Sequence, residues 1–349
     1  MSNTIHQQKT TTSTIEQAYL EVNPEGKNTV LFIHGNASSS IFWKRLMQRL
    51  PENTRGIAPD LRGFGNTEDV LIDATKGMRE FSTDIIALLD QLDINKVHVV
   101  GHSMGGSVCY ALAGDHPNRL ASITLVNPGS PFGFGGTKDL EGNPHFSDFA
   151  GSGAGVVNPD FAKRIEQGDR TEEDPNASPR VVMNNFYWKP PFRPENEEEL
   201  LDGLLSEKIG PQKYPGDSVP SENFPFTAPG KFGPPNALSP KYISDTVNKF
   251  IEKTTAIPVL WIRGEEDQIV SDKSLFDLGT LGAMGLIPGF PGEDIYPPQP
   301  MVSQTRQVLE KRQNNGGEFK EIIIKDAGHS PYIEKEDEFC SYFMPFIKS

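Results

Sequence analysis

Short apolar runs alternate with amphipathic segments from Tyr19 onward, and the alternation stops after Val126 and resumes only near Tyr242. This interrupted rhythm constrains the fold more than any single residue does. Near-continuous β-branched and aliphatic runs mark strands covered by helices on both faces. Such runs stand at residues 29–33, 96–100, 122–126, 257–262 and 319–324. Between them Ile41, Leu46 and Leu50, and then Phe81, Ile85, Leu88, Leu89 and Leu92, recur at helical spacing, which predicts helices packed on the sheet. The expected fold class is α/β, with a mostly parallel central sheet, helices on both faces and a long irregular Pro/Gly-rich cap insertion.

The interruption has its own chemistry. Of the 29 prolines, 17 lie between positions 128 and 240, together with 14 glycines, 17 acidic and 10 basic residues. Such composition resists long regular elements. The same stretch holds 10 of the 21 phenylalanines, and disordered segments are poor in aromatics. A folded cap with short helices near 160–167 and 197–207 is expected. Dividing 349 residues by about 150 per domain suggests two domains, but one core of residues 18–128 and 245–349 with a cap at 129–244 fits the pattern better. Residues 1–17 are polar and are expected to form a loose N-terminal arm, with no apolar stretch of the kind a secretion signal needs.

The formal net charge of -14 argues against a nucleic-acid or anionic-membrane partner, because both need a basic patch to displace counterions. The most apolar uncharged run, 278–292, holds five glycines and two prolines and is too short and broken to span a bilayer. Cys109 and Cys340 are too few and too far apart for a disulfide framework, so a reducing, cytoplasmic setting is expected.

The sharpest local feature is Gly101-His102-Ser103-Met104-Gly105, directly after one strand run and directly before a helical pattern. A serine on a tight strand-to-helix turn needs small neighbours, which Gly101, Gly105 and Gly106 supply. The helix start also offers the Met104 N–H to a developing oxyanion. A serine hydroxyl needs a histidine base and a group that orients it. His6, His98, His102, His116 and His145 are poorly placed, and His34 reads as a loop staple. His329 remains, in Asp326-Ala327-Gly328-His329, just past the last strand run, where ligands bind at the carboxyl edge of parallel sheets. Of Glu265, Glu266 and Asp267 after the penultimate strand, Asp267 is preferred as the orienting acid, because the turn needs a few residues to bend back. Asn127, after the strand at 122–126, cannot carry a negative charge. The second oxyanion donor is expected at Asn36, after Gly35. Trp43, Phe132, Phe134 and Trp188, with Phe186 and Tyr187, suggest an apolar substrate pocket, the alternative being a cap core.

With these residues placed, the chain resembles the lidded esterase, lactonase and C–C hydrolase branch of the α/β-hydrolase fold. The resemblance rests on His34-Gly35-Asn36, Asp60-Leu61-Arg62-Gly63-Phe64-Gly65-Asn66-Thr67, Gly101-His102-Ser103-Met104-Gly105-Gly106, Gly264-Glu265-Glu266-Asp267 and Gly328-His329, in the family's chain order. It implies a nucleophile at Ser103, base at His329, acid at Asp267 and oxyanion donors at Asn36 and Met104. Serine at 103 argues against the epoxide hydrolase and haloalkane dehalogenase chemistries, which use aspartate there. The expected activity is hydrolysis of a small, largely apolar carboxylic ester or lactone through an acyl-enzyme, without cofactor or metal. A cofactor-free C–C hydrolase and a ligand-sensing protein with a slow triad are the alternatives. No metal-binding or nucleotide-binding spacing competes, and the sequence leaves the oligomeric state open.

Overall fold

The computed structural model describes residues 3–348. Eight strands form one sheet: β1 (His6–Thr11), β2 (Glu16–Val22), β3 (Asn28–Ile33), β4 (Thr54–Pro59), β5 (Val97–His102), β6 (Leu120–Val126), β7 (Val259–Gly264) and β8 (Phe319–Ile324). Their spatial order is β1-β2-β4-β3-β5-β6-β7-β8. Pairing is parallel from β4 to β8 and antiparallel at β1/β2 and β2/β4.

The period-2 alternation of the strands divides their side chains between two cores. Leu31, Ile33, Val97, Val99, Ile123, Leu125, Val259 and Trp261 meet Phe81, Ile85, Val108, Leu112, Phe250, Val308 and Leu309 from the helices on one face. Val30, Phe32, Val100, Val126, Leu260 and Ile262 meet Trp43, Leu46, Met47, Tyr332, Phe339 and Phe343 on the other. Burying one such side chain is worth about 1.5–3 kcal/mol, so each face is held by many small increments.

The described part of the first 17 residues is not a loose arm. β1 pairs with β2 from His6↔Glu21 to Thr11↔Glu16. Its side chains are almost all exposed, so the strand is ordered by its backbone ladder, and polarity gives a false sign of looseness. Residues 1 and 2 lie outside the described residues. β4, Thr-Arg-Gly-Ile-Ala-Pro, was not among the expected strands either, because arginine, glycine and proline mask a short buried run.

Between β6 and the helix Thr246–Lys253 runs the insertion, with helices Pro159–Glu166 and Glu197–Leu205 near the expected places. Two-stranded ribbons complete it, at 209–215 and 218–229. Phe161, Ile165, Met183, Tyr187, Trp188, Leu200, Leu201, Leu204 and Tyr214 form a core that also includes Ala37 and Phe42. Phenylalanine-rich segments that gather an apolar cluster can offset the chain entropy that proline-rich composition alone cannot.

Candidate active site

β5 ends at His102, and the helix Met104–Asp115 starts two residues later. Ser103 makes the turn between them at φ 54 and ψ -120, a conformation that costs a non-glycine residue about 1–3 kcal/mol. Neighbouring backbone over-determines it. Ser103 N–H donates to the Val126 carbonyl at 3.1 Å, and the Ser103 carbonyl accepts from Gly106 and Gly129, each at 2.9 Å. Gly105 is required by close approach, since a Cβ there would sit 2.2 Å from the Ile33 carbonyl oxygen. Gly35 likewise lets its loop come up against Ser103, whose Cβ would be 3.0 Å from an added methyl.

Asp267 and His329 come together across the ends of β7 and β8. His329 Nδ1 stands 2.8 Å from Asp267 Oδ2, and both side chains are buried. A carboxylate facing Nδ1 assigns the proton to that nitrogen and leaves Nε2 as the acceptor. The acid is itself fixed: Oδ1 accepts from the Ile269 and Val270 amides at 2.8 and 3.0 Å. Of the competing acids, Glu265 is exposed and Glu266 pairs with Lys189.

Asn127 supports this acid. Its Nδ2 donates to Asp267 Oδ2 at 2.5 Å while its Oδ1 accepts from the Gly264 N–H at 3.1 Å. Sequence reasoning weighed Asn127 only as a rival acid and passed over it as a donor. His102 is a second missed contributor. Its Nε2 donates to the His329 carbonyl at 2.8 Å, with the two rings 4.5 Å apart, so the residue beside Ser103 holds the backbone of His329. Burial first, then the proximity of His329, keeps the His102 pKa well below the usual range, so the ring stays neutral. Among the described residues none hydrogen-bonds the Ser103 hydroxyl, which is only half-buried. Such catalytic contacts often tighten only around substrate.

The His34–Ser38 loop faces this elbow. Leu61 N–H donates to His34 Nε2 at 3.0 Å, so Nδ1 carries the proton and donates to the Gly35 carbonyl at 2.8 Å. Ser38 Oγ donates to the same carbonyl at 2.8 Å. Pinning the carbonyl of the 35–36 peptide aims its opposite end, the Asn36 N–H, the other way. Met104 N–H is the first amide of its helix and has no partner within the helix. Ala37 stands at φ 46, costing about 1–2 kcal/mol for an alanine. Its carbonyl accepts from the Tyr187 hydroxyl at 2.8 Å, a bond worth about 0.5–1.5 kcal/mol. The two magnitudes are comparable, so the contact matters to the loop.

The aromatics expected to line a substrate pocket are placed otherwise. Trp43 is fully buried, stacked on Tyr332 at 4.1 Å and edge-on to His102, within the core under the sheet. Trp188 is buried in the insertion's own core beside Phe192. Phe132 and Phe134 are half-buried and pack against the edge of the core that holds Phe81, Val108 and Phe250. Large aromatic side chains gain most by complete burial, and that gain claims them for packing. A surface groove of about 890 Å³ lies elsewhere, lined by Arg45, Arg49, Glu334, Glu336 and Asp337, and does not include Ser103. Among the described residues no three metal-ligating side chains converge, and no helix is long and apolar enough to cross a membrane.

A family model for the alpha/beta hydrolase fold matches residues 28–281, well over half of the chain. The chain belongs to the α/β-hydrolase family. It is 33% identical over 120 residues to a Caulobacter segnis protein carrying the name carbamate hydrolase RutD, covering 34% of this chain and 45% of that one. It is 37% identical over 108 residues to the dihydrolipoyllysine-residue acetyltransferase component of the acetoin cleaving system of Pseudomonas putida, covering 31% of this chain and 29% of that one. The chain thus spans less than half the length of these curated relatives. Among solved structures, a serine hydrolase from Cycloclasticus zankles superposes with a TM-score of 0.60 at 16% identity, covering 99% of this chain and 98% of its own. A thermophilic esterase from Thermogutta terrifontis gives 0.55 at 19%, covering 98% of each chain. At these identities the solved structures establish the fold.

Proposed function

We propose that this protein is a serine hydrolase that cleaves a carboxylic ester or lactone through an acyl-enzyme. The observation that carries the reading is the buried Asp267–His329 pair at 2.8 Å, tied through the His102 side chain, which donates to the His329 carbonyl, to the residue just before the strained Ser103 turn. In this mechanism Ser103 Oγ attacks the substrate carbonyl carbon and His329 Nε2 takes its proton. Asp267 stabilises the resulting imidazolium, and the Asn36 and Met104 amides receive the charge that develops on the carbonyl oxygen. As the tetrahedral adduct collapses, the leaving oxygen takes the proton from His329. Water then repeats the sequence on the acyl-enzyme and releases the acid. A relative named for carbamate hydrolysis supports the same carbonyl chemistry. Because Trp43 and Trp188 are packed into cores, they supply no argument for an apolar substrate.

The test is a fluorophosphonate probe with peptide mapping, together with turnover of p-nitrophenyl esters and lactones. Labelling of Ser103 is expected, with Ser103→Ala losing at least about 1,000-fold in kcat. A folded wild-type protein that takes no label on Ser103 overturns the proposal.

A further inference from the structure

Three consecutive residues of the insertion reach the three loops that carry the candidate chemistry. Tyr187 donates its hydroxyl to the Ala37 carbonyl at 2.8 Å. The Trp188 backbone lies so close to Gly328 that a Cβ there would be 2.7 Å from the Trp188 carbonyl carbon. Lys189 N–H donates to Glu334 Oε1 at 3.0 Å, while Glu334 Oε2 accepts from the Gly328 N–H at 2.6 Å. Lys189 Nζ bridges Glu266 at 2.8 Å and Asp326 at 3.0 Å, but these pairs face solvent and are screened. The Tyr187 contact is buried, and desolvation pushes the phenol pKa up, so it stays a donor.

We propose that Tyr187 is a positioning residue for the oxyanion loop, its hydroxyl holding the Ala37 carbonyl and, through Ser38, the peptide that presents the Asn36 N–H. The proposal rests on the serine-hydrolase reading above and adds a part of the site supplied by the insertion. Ala37 occupies a left-handed conformation that alanine leaves when it is not held. The Ala37 carbonyl belongs to the peptide that leads into Ser38, and Ser38 Oγ holds the Gly35 carbonyl. Releasing Ala37 therefore swings the Asn36 amide out of line. A misaligned donor costs transition-state stabilisation and leaves ground-state binding nearly untouched.

The test compares wild type, Tyr187→Phe and Ser38→Ala on p-nitrophenyl butyrate, and measures inhibition by an alkyl trifluoromethyl ketone. That ketone adds the Ser103 oxygen to its carbonyl carbon, the serine proton passing to His329, and leaves an oxyanion in the hole. Tyr187→Phe is expected to lower kcat about 10-fold or more, with KM within about twofold and the inhibition constant raised by the same factor as kcat falls. Ser38→Ala is expected to show the same split and serves alone if Tyr187→Phe does not fold. A kcat within threefold of wild type, a loss expressed in KM, or an unchanged inhibition constant overturns the proposal. If wild type is labelled on Ser103 and these variants fail the expectation, only the role of Tyr187 falls. An unlabelled wild type removes both readings together.

Discussion

Asp267 is held by four hydrogen bonds, and the one from Asn127 reaches the same oxygen that faces His329. A carboxylate oxygen that is otherwise free to rotate would let the imidazole drift, so the Asn127 donor fixes the direction of the His329 ring. Replacing Asn127 by alanine removes that donor and also leaves the Gly264 N–H without its side-chain partner. The expected result is a loss of about tenfold in kcat/KM, roughly 1.4 kcal/mol, with a lower melting temperature. Asn127→Asp is expected to lose at least as much, because two carboxylates sharing one site cannot both ionise at no cost. Steady-state kinetics on a p-nitrophenyl ester decide the matter, and values within twofold of wild type for both variants contradict it. None of this was visible in the spacing of the chain. Ser103 and His329 stand out because glycines and chain order surround them, whereas Asn127 reaches a partner 140 positions away.

The helix Glu197–Leu205 ends just before Glu207, whose carboxyl is buried beside the Ala37 amide of the His34–Ser38 loop. Both of its oxygens lack a hydrogen-bond partner, and the Ala37 amide is near enough to favour the charged form without aligning as a bond. Burial outweighs that amide and pushes the pKa well above the usual carboxylate range. A raised pKa means the folded protein keeps a proton that the unfolded chain releases above about 4.5. Stability that is fully present below that pH is therefore lost as the pH rises toward the folded-state value. Glu207→Gln removes this dependence at nearly constant volume. Thermal melts are expected to show the variant gaining about 2–6 °C on wild type between pH 4 and pH 8. A difference that does not grow with pH contradicts the assignment. Sequence placed the helix itself closely, at 197–207 against the observed Glu197–Leu205. It gave no sign that the acid just beyond the helix is buried, because an isolated glutamate in a polar stretch reads as solvated.

On the scale of the whole molecule, His34 and His102 are both buried with pKa values lowered, desolvation being the first cause for each. The unfolded chain binds protons below about 6.5 that these folded rings refuse. Their contribution is thus present above that pH and is lost as the pH falls, at up to about 1.4 kcal/mol per pH unit for each ring. Urea denaturation at pH 7.5 and 5.5 is expected to show a lower midpoint at the acid pH, with protons taken up on unfolding. A midpoint that rises toward pH 5.5 contradicts this balance of groups. Both rings sit where the sheet edge meets the loops, so loss of fold and loss of the candidate site are expected together.

The sequence by itself determined the α/β class, the interruption of the sheet by a proline-rich insertion and the placing of Ser103, Asp267 and His329 just after its strands. It did so because hydrophobic period and glycine spacing are local properties, written within a few residues. Tertiary structure alone decided that residues 6–11 close the sheet as an edge strand, and that Trp43 and Trp188 fill cores rather than a pocket. It also decided that Asn127 holds Asp267, and that Ser38 and Tyr187 hold the Gly35 and Ala37 carbonyls. Those outcomes depend on which surfaces meet across the fold, where burial and hydrogen-bond geometry set each side chain's role and sequence distance carries no information.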